Sequence, residues 1–513
     1  MQLAPINPCS LSDTCMMLRS SIIGRVASQW RGGFSRGSNG LRFCPVVPSV
    51  ASVYPIAKLN ASPPCFGGAV GIRVFSVKTA DVKSANVSGT VSKEVPEAPY
   101  KNTSQEVPET NSSIVAYHLF TSAALVFAIV VVGGLTRLTE SGLSITEWNP
   151  GFKGMQLPMN EEQWQAEFDK YMQTPEFKVL NFNMSREEFK TIFLWEWSHR
   201  VLGRVIGVAF VLPALYFSLR RGYTTRSVRW KLLAIGAGIG FQGLLGWVMV
   251  ASGLKNPYEG DKSDQPTPEW TPRVSHFRLA AHLGAAFAVY MGMLYTGIQI
   301  MRDSGAIKKG SSATDSLVKM LDSPRLRRFR GAALGLTTLV FFTAMYGALV
   351  AGLDAGLVYN EFPTMGDGRV LPPMDELLDK RFRLRGAADS DDSALVAGNA
   401  TLNPVTVQAI HRVLGVSSLA ALIVYARYAR KIREYIPRAA RAFAIGASHM
   451  GIVQVALGIS TLLYMVPIPL ASMHQCGSLV TLSLLTGVLA MTKRPSQALR
   501  AFARTAEKSK SHA

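Results

Sequence analysis

Eight stretches of this chain are apolar enough and long enough to cross a lipid bilayer, and nothing else about it limits the fold so strongly. They lie near 114–135, 192–218, 230–252, 275–300, 331–352, 404–427, 441–465 and 468–491. A helix needs roughly 20 apolar residues to traverse the hydrocarbon core. No water is present there to satisfy the backbone, so each span must meet its own hydrogen-bonding needs. The expected fold is an all-α integral membrane protein with membrane lipid around it.

The net charge is +20 and 48% of residues are apolar. Basic chains often bind nucleic acid, but here the basic residues lie between the hydrophobic runs. They set orientation, and no nucleic-acid partner is expected. The loops after spans two, four and six ("RRGYTTRSVRWK", "KK…RLRRFR", "RYARKIREYIPRAAR") and the C-terminal tail are basic. Most acids fall in the other loops. By the positive-inside rule both termini share the side of the basic loops.

The segment from Met1 to Ala80 holds eight Lys or Arg and one acid, Asp13, and is rich in Ser. This is transit-peptide composition, and "RVFS" (Arg73 to Ser76) resembles a mitochondrial processing site; a plastid is the competing destination. The expected organisation is a transit peptide over 1–76, a flexible linker over 77–112, a four-helix half over 113–303, a matrix loop over 304–330, a second four-helix half over 331–492 and a basic matrix tail over 493–513. The location is then the mitochondrial inner membrane, with termini in the matrix. Of five cysteines, Cys9, Cys15, Cys44 and Cys65 lie in this N-terminal segment and Cys476 is alone. No C-x-x-C pair exists, so neither a zinc site nor a disulfide framework is supported.

The halves repeat. "HRVLG" occurs at His199 and again at His411, an offset of 212 that Gln242 and Gln454 share. In the first and fifth loops Gly142 matches Gly356 and Glu147 matches Glu361, both at an offset of 214. "AAHLG" around His282 matches "SMHQCG" around His474 at an offset of 192, the third loop being longer than the seventh. Four spans repeat as four. An even-numbered repeat keeps its orientation, so two four-helix bundles related by a pseudo-two-fold axis along the membrane normal are expected.

His199, His282, His411 and His474 each lie seven or eight residues in from the same side, a common depth of roughly 10–12 Å. One such histidine would be read as a core hydrogen bond. Four at one depth, two per half, read as two bis-histidine haem pockets. Gly203, Gly415, Gly284 and Gly477 are the small residues expected to let a flat macrocycle approach. His118, His449, His276 and His512 have no matching partners and are read as structural or solvent-exposed. Other metals would want more converging ligands.

The halves differ in one respect that bears on chemistry. Glu196 stands three residues before His199, and Gln408 three before His411. A carboxylate within a span needs work or a partner. It is either a hydrogen bond to an imidazole or a group for proton transfer or cation stabilisation. Because Gln408 occupies the related place, an amide at position 196 is expected to preserve folding.

"GGLTRLTESGLSITEW", "EWSHRVLGR", "RLAAHLG", "AGLDAGLVYNEFPTM", "HRVLG" and "MHQCGSL" together resemble haem A synthase of the mitochondrial and alphaproteobacterial type, over roughly residues 114 to 492. The resemblance implies oxidation of the C8 methyl of haem O to a formyl, giving haem A for cytochrome c oxidase. It implies haem b as cofactor on His411 and His474, haem O as substrate on His199 and His282, and Glu196 as the essential glutamate. It suggests a ferredoxin as electron donor. A haem O-making farnesyltransferase is a candidate partner, and a homo-oligomer stays open. Cysteine pairs that some bacterial members carry in the first and fifth loops are absent here. Two other readings use the same histidines or none: a di-haem b electron-transfer cytochrome with permanent haem in both pockets, and a transporter or scaffold without haem.

Overall fold

The computed structural model describes residues 110–149, 151–255 and 271–511, with side chains through 504. The expected transit peptide, nearly all of the linker, His512 and the four N-terminal cysteines lie outside the described residues.

Among the described residues, eight helices are long and apolar enough to span a membrane: α1 Ser113–Leu138, α2 Arg186–Leu219, α3 Arg226–Gly253, α4 His276–Lys308, α5 Pro324–Gly352, α6 Pro404–Lys431, α7 Arg438–Leu463 and α8 Ile468–Met491. Each coincides with one expected span. Local chemistry sets their starts. Ser185 and Glu188 form a reciprocal capping box ahead of α2, which satisfies two donors the helix end leaves open. Asn403 accepts from Val405 N with Pro404 at the first position of α6, where a missing N–H costs nothing.

Neighbour contacts close each half into a ring: α1–α2, α2–α3, α3–α4 and α4–α1 in the first, α5–α6, α6–α7, α7–α8 and α8–α5 in the second. The halves meet through α4–α8, α4–α5 and α1–α8. Exchanging α1–α4 with α5–α8 maps this set onto itself, as a two-fold axis between α4 and α8 requires. The buried core follows the same seam, with Phe287, Met293, Leu479, Leu482 and Leu485 fully enclosed. On the periphery, α3 turns Trp230, Leu233, Phe241, Leu244 and Trp247 outward, the surface a helix presents to lipid rather than water.

Two polar ties cross the seam at the histidine end. Asp354 accepts from Arg137 Nη2 at 3.0 Å and from Arg273 Nη1 at 2.6 Å. Gln475 donates to the Val130 carbonyl at 2.9 Å. Glu140 and Asp354 occupy matching places in the repeat, and both adopt left-handed backbone (φ 52° and 51°) at the exits of α1 and α5. The repeat therefore extends to the turns that launch the first and fifth loops.

Helices also form outside the spans. Residues 304–330, read as a loop, are largely helical: α4 runs to Lys308, a helix covers Ser311–Leu321 and α5 starts at Pro324. The tail contains a helix, Gln497–Ser511, packed on Ser311–Leu321. Both are too polar to register as apolar runs, although neither lacks helix-forming residues.

α2 has 34 residues, roughly 50 Å at 1.5 Å per residue, so its first turns stand outside the hydrocarbon core. There Phe189 and Phe193 join Phe168 and Tyr171 in a separate small core, built with the helix Glu161–Met172 of the first loop. This cap packs on the protruding end of α2.

Candidate haem sites

His199 on α2 faces His282 on α4 with ring centroids 6.5 Å apart and planes at 68°. His411 on α6 faces His474 on α8 at 6.4 Å and 88°. Two imidazoles sharing one metal at about 2 Å per bond have centroids roughly 6 Å apart, so both separations suit an iron between the rings. Pairing is within each half, not across the seam. Among the described residues no group of three or more His, Cys, Asp or Glu converges as a porphyrin-free metal site would need.

Each ring lies against a glycine of a neighbouring helix. A Cβ on Gly133 would stand 3.0 Å from His199, and one on Gly347 3.0 Å from His411. A Cβ on Gly246 would stand 3.6 Å from His282, and one on Gly458 2.9 Å from His474. Gly133 matches Gly347, and Gly246 matches Gly458, at the offsets that relate the rest of the repeat. They stand on helices other than those of the histidines, so nearness in sequence does not find them. Of the glycines it does find, Gly415 has nothing within 4 Å and Gly203 has only Ile129. Gly284 instead packs on Met345 and Gly477 on Gln454, so these two serve helix packing.

The pockets differ in how the rings are held. His411 Nδ1 lies 3.0 Å from the Thr343 carbonyl and His474 Nδ1 3.1 Å from that of Gln454. A carbonyl can only accept, so Nδ1 of His411 carries the proton and its Nε2 keeps its lone pair for a metal, while His474 Nδ1 lies between the carbonyl and the amide Nε2 of Gln454, the latter 3.2 Å away. In the first half His282 Nδ1 is buried without a partner. The second pocket thus tethers both rings through Nδ1, whereas the first leaves His282 Nδ1 without a partner.

Glu196 is buried and accepts four hydrogen bonds: from Ser144 Oγ and Ile145 N, both at 2.7 Å, and from Arg200 Nε and Nη2 at 3.0 and 2.6 Å. Arg200 also donates to the carbonyls of Ile145 and Glu147, both at 2.8 Å. Glu196 and Arg200 together clamp the first loop onto α2. The second half repeats the clamp with other polarity. Gln408 donates to the carbonyls of Ala355 and Tyr359 at 2.8 and 3.1 Å, and Arg412 donates to those of Tyr359 and Thr364. Residue 196 therefore faces donors alone, whereas residue 408 donates to two loop carbonyls and accepts from Arg412 Nη2 at 3.4 Å. An amide at 196 could keep the Arg200 bonds through its oxygen, and its NH₂ group would then face the Ile145 N–H. Sequence offers the Glu196–Arg200 pair at i, i+4 but not the loop groups that both residues hold.

Buried donors without a protein partner lie near both clamps, at Arg204 Nη1 and Arg412 Nε. Guanidinium groups of this kind suit porphyrin carboxylates, so the residues present fit a haem in each half. Glu147 is outside this set. It pairs with Lys170 and Asn149, which hold its carboxyl below the usual range. Glu361 accepts from Gly366 N and likewise serves its own loop. In the cap, Glu176 is 5% exposed with Oε2 unpartnered. Burial, reinforced by the charge of Glu196, pushes its carboxyl up to about 8.

Two histidine pairs at repeat-related places, with this order of motifs, match a known family. The profile described as cytochrome oxidase assembly protein covers residues 116–486. The chain belongs to this family. Heme A synthase COX15 of Saccharomyces cerevisiae is 42% identical over 427 residues, covering 82% of this chain and 84% of its own length. The human protein of the same name is 41% identical over 376 residues, covering 73% and 81%. A heme A synthase–mitochondrial ferredoxin fusion protein of Schizosaccharomyces pombe is 43% identical over 403 residues, covering 77% of this chain and 62% of the fusion. The family match reaches all eight helices and includes both histidine pairs.

Proposed function

We propose that this chain is a haem A synthase that oxidises the C8 methyl of haem O to a formyl, with substrate haem in the first half and resident haem b in the second. The observation that carries the assignment is the unequal tethering of two otherwise matched pockets. His411 and His474, each fixed through Nδ1, suit a permanent ligand set. His199 and His282, with His282 Nδ1 unpartnered, suit a ligand that must enter and leave. The names of the relatives support the reaction.

Resident haem b, when bound, supplies one-electron transfer. The protein's own groups do the rest. His199 and His282 orient the substrate macrocycle, with Gly133 and Gly246 leaving room for the rings to adjust. Glu196 is the candidate catalytic residue. Paired with Arg200 and one helical turn from His199, it is placed to stabilise positive charge developing on the substrate or to receive a proton. The clamp also holds the first loop against α2 beside His199.

The fusion relative supports a ferredoxin-type electron donor. Mitochondrial relatives and the basic even-numbered loops support an inner-membrane location with termini in the matrix and both pockets toward the intermembrane space. Pigment extraction from the purified protein tests the assignment. Haem b together with haem A or a partly oxidised haem O is expected. Haem b alone, at two per chain, would instead identify an electron-transfer cytochrome.

A further inference from the structure

At the end of the bundle away from the histidines, two lysines converge on one amide. Lys231 Nζ on α3 donates to Gln299 Oε1 on α4 at 3.1 Å, and Lys493 Nζ just beyond α8 donates to the same oxygen at 3.0 Å. Both ammonium groups also sit over the ring of Tyr295, at 5.6 and 5.5 Å from its centroid. Gln299 lies nearly five turns beyond His282 on α4, about 26 Å along the axis, so this cluster is separate from either pocket.

Three features mark it as incomplete. Sharing one acceptor brings two like charges close together, which is unfavourable without a counter-charge. A nearby acid, Asp303, is already taken by Arg302 at 2.8 Å. Gln299 is 8% exposed, and its Nε2 is buried with no partner. Two cations with donors to spare and an unsatisfied N–H thus meet at one place. The position of Lys493 is fixed: Arg302 donates to the carbonyls of Ala490 and Lys493 at 2.9 Å each, capping the end of α8.

The repeat shows that the bundle does not need these charges to close. At the offsets relating the halves, Lys231 corresponds to Phe443, Tyr295 to Gly487 and Gln299 to Met491. There Phe443 lies against Gly487, where an added Cβ would come within 2.9 Å of the ring. The same packing is apolar in one half and cationic in the other.

We propose that Lys231, Lys493 and Gln299 bind a phosphate group. Two point-like ammonium groups and one amide N–H match the oxygens of a phosphate. Their place at helix ends, beside the outward Trp230, puts the site at headgroup depth, so a phospholipid headgroup is one source and free phosphate the other.

The test uses the full chain purified in detergent, reading the thermal midpoint against added phosphatidylglycerol, phosphatidylcholine or inorganic phosphate. Phosphatidylglycerol is expected to raise the midpoint saturably and at lower concentration than phosphatidylcholine. Lys231→Met with Lys493→Met should weaken its half-saturation by roughly 100-fold, about tenfold per lysine. Lys493→Arg, which keeps the charge, should retain it and guards against misfolding of the double variant. A lysine-dependent response to inorganic phosphate alone would assign the same site to a soluble phosphate. Equal responses of the double variant and the unsubstituted chain to all three additions would overturn the proposal.

Discussion

Replacing Glu196 by glutamine removes one charge and almost no volume, so its effect can be worked from the hydrogen bonds. The carboxylate accepts from the Ile145 N–H, from two guanidinium nitrogens and from the Ser144 hydroxyl. Only the hydroxyl can turn round to accept. An amide oxygen can keep Arg200, but the Ile145 N–H then loses its acceptor, a cost of about 1–3 kcal/mol for a buried donor. Arg200, with a side chain 10% exposed, also loses its counter-charge. Removing one partner of a buried pair costs about 3–5 kcal/mol, lessened here because two carbonyls still hold the guanidinium. A loss of the order of 4 kcal/mol from loop anchoring corresponds to roughly a thousandfold more opening of the first loop. Hydrogen exchange of the Ile145 amide should accelerate by at least about 100-fold, with the fifth-loop amides near Ala355 and Tyr359 as an unchanged internal control. Haem A yield should fall by about 100-fold or more, the scale for losing an acid–base or charge-stabilising group, while haem b stays bound. If yield falls and Ile145 exchange does not change, the carboxylate acts on the substrate alone and the anchoring argument is wrong.

Three further outcomes follow from other parts of the molecule. Gly347→Ala puts a Cβ within 3.0 Å of the His411 ring, so the ring must tilt and haem b should bind at least about tenfold more weakly, read from b-type absorbance during detergent washing. Glu176 keeps its proton up to about 8 in the folded cap against an ordinary 4.5. The folded state therefore binds the proton more tightly, and cap stability falls as pH rises between those values, by about 1.4 kcal/mol per unit at most. Glu176→Gln should flatten that dependence and raise the cap's melting point at pH 8, followed through Trp164 fluorescence. Protease added to mitoplasts should cut within 150–190 and spare the C-terminal tail; the reverse pattern would invert the orientation.

The eight spans could be read from sequence because a bilayer demands about 20 apolar residues whatever the tertiary packing. The histidine pairs were equally legible, since a repeat at fixed offset exposes residues that matter to both copies. Contacts between helices were not. Gly133 with Gly347 and Gly246 with Gly458 obey the repeat offsets, but nothing in the sequence says which helix faces which imidazole. The opposed polarity of the clamps at Glu196 and Gln408 depends on loop carbonyls and N–H groups that the side-chain sequence does not encode. The helix Ser311–Leu321 escaped because its residues are polar rather than because they disfavour a helix.

The division of labour between the two halves is tested most directly by comparing the pigments held by two single variants, His282→Ala and His474→Ala, purified alike. His474→Ala should lose haem b while still retaining substrate-type haem in the first half. His282→Ala should keep haem b at the unsubstituted level and lose haem O and haem A. If both variants lose the same haem to the same extent, the pockets are not specialised and the assignment of substrate to one half and cofactor to the other is contradicted.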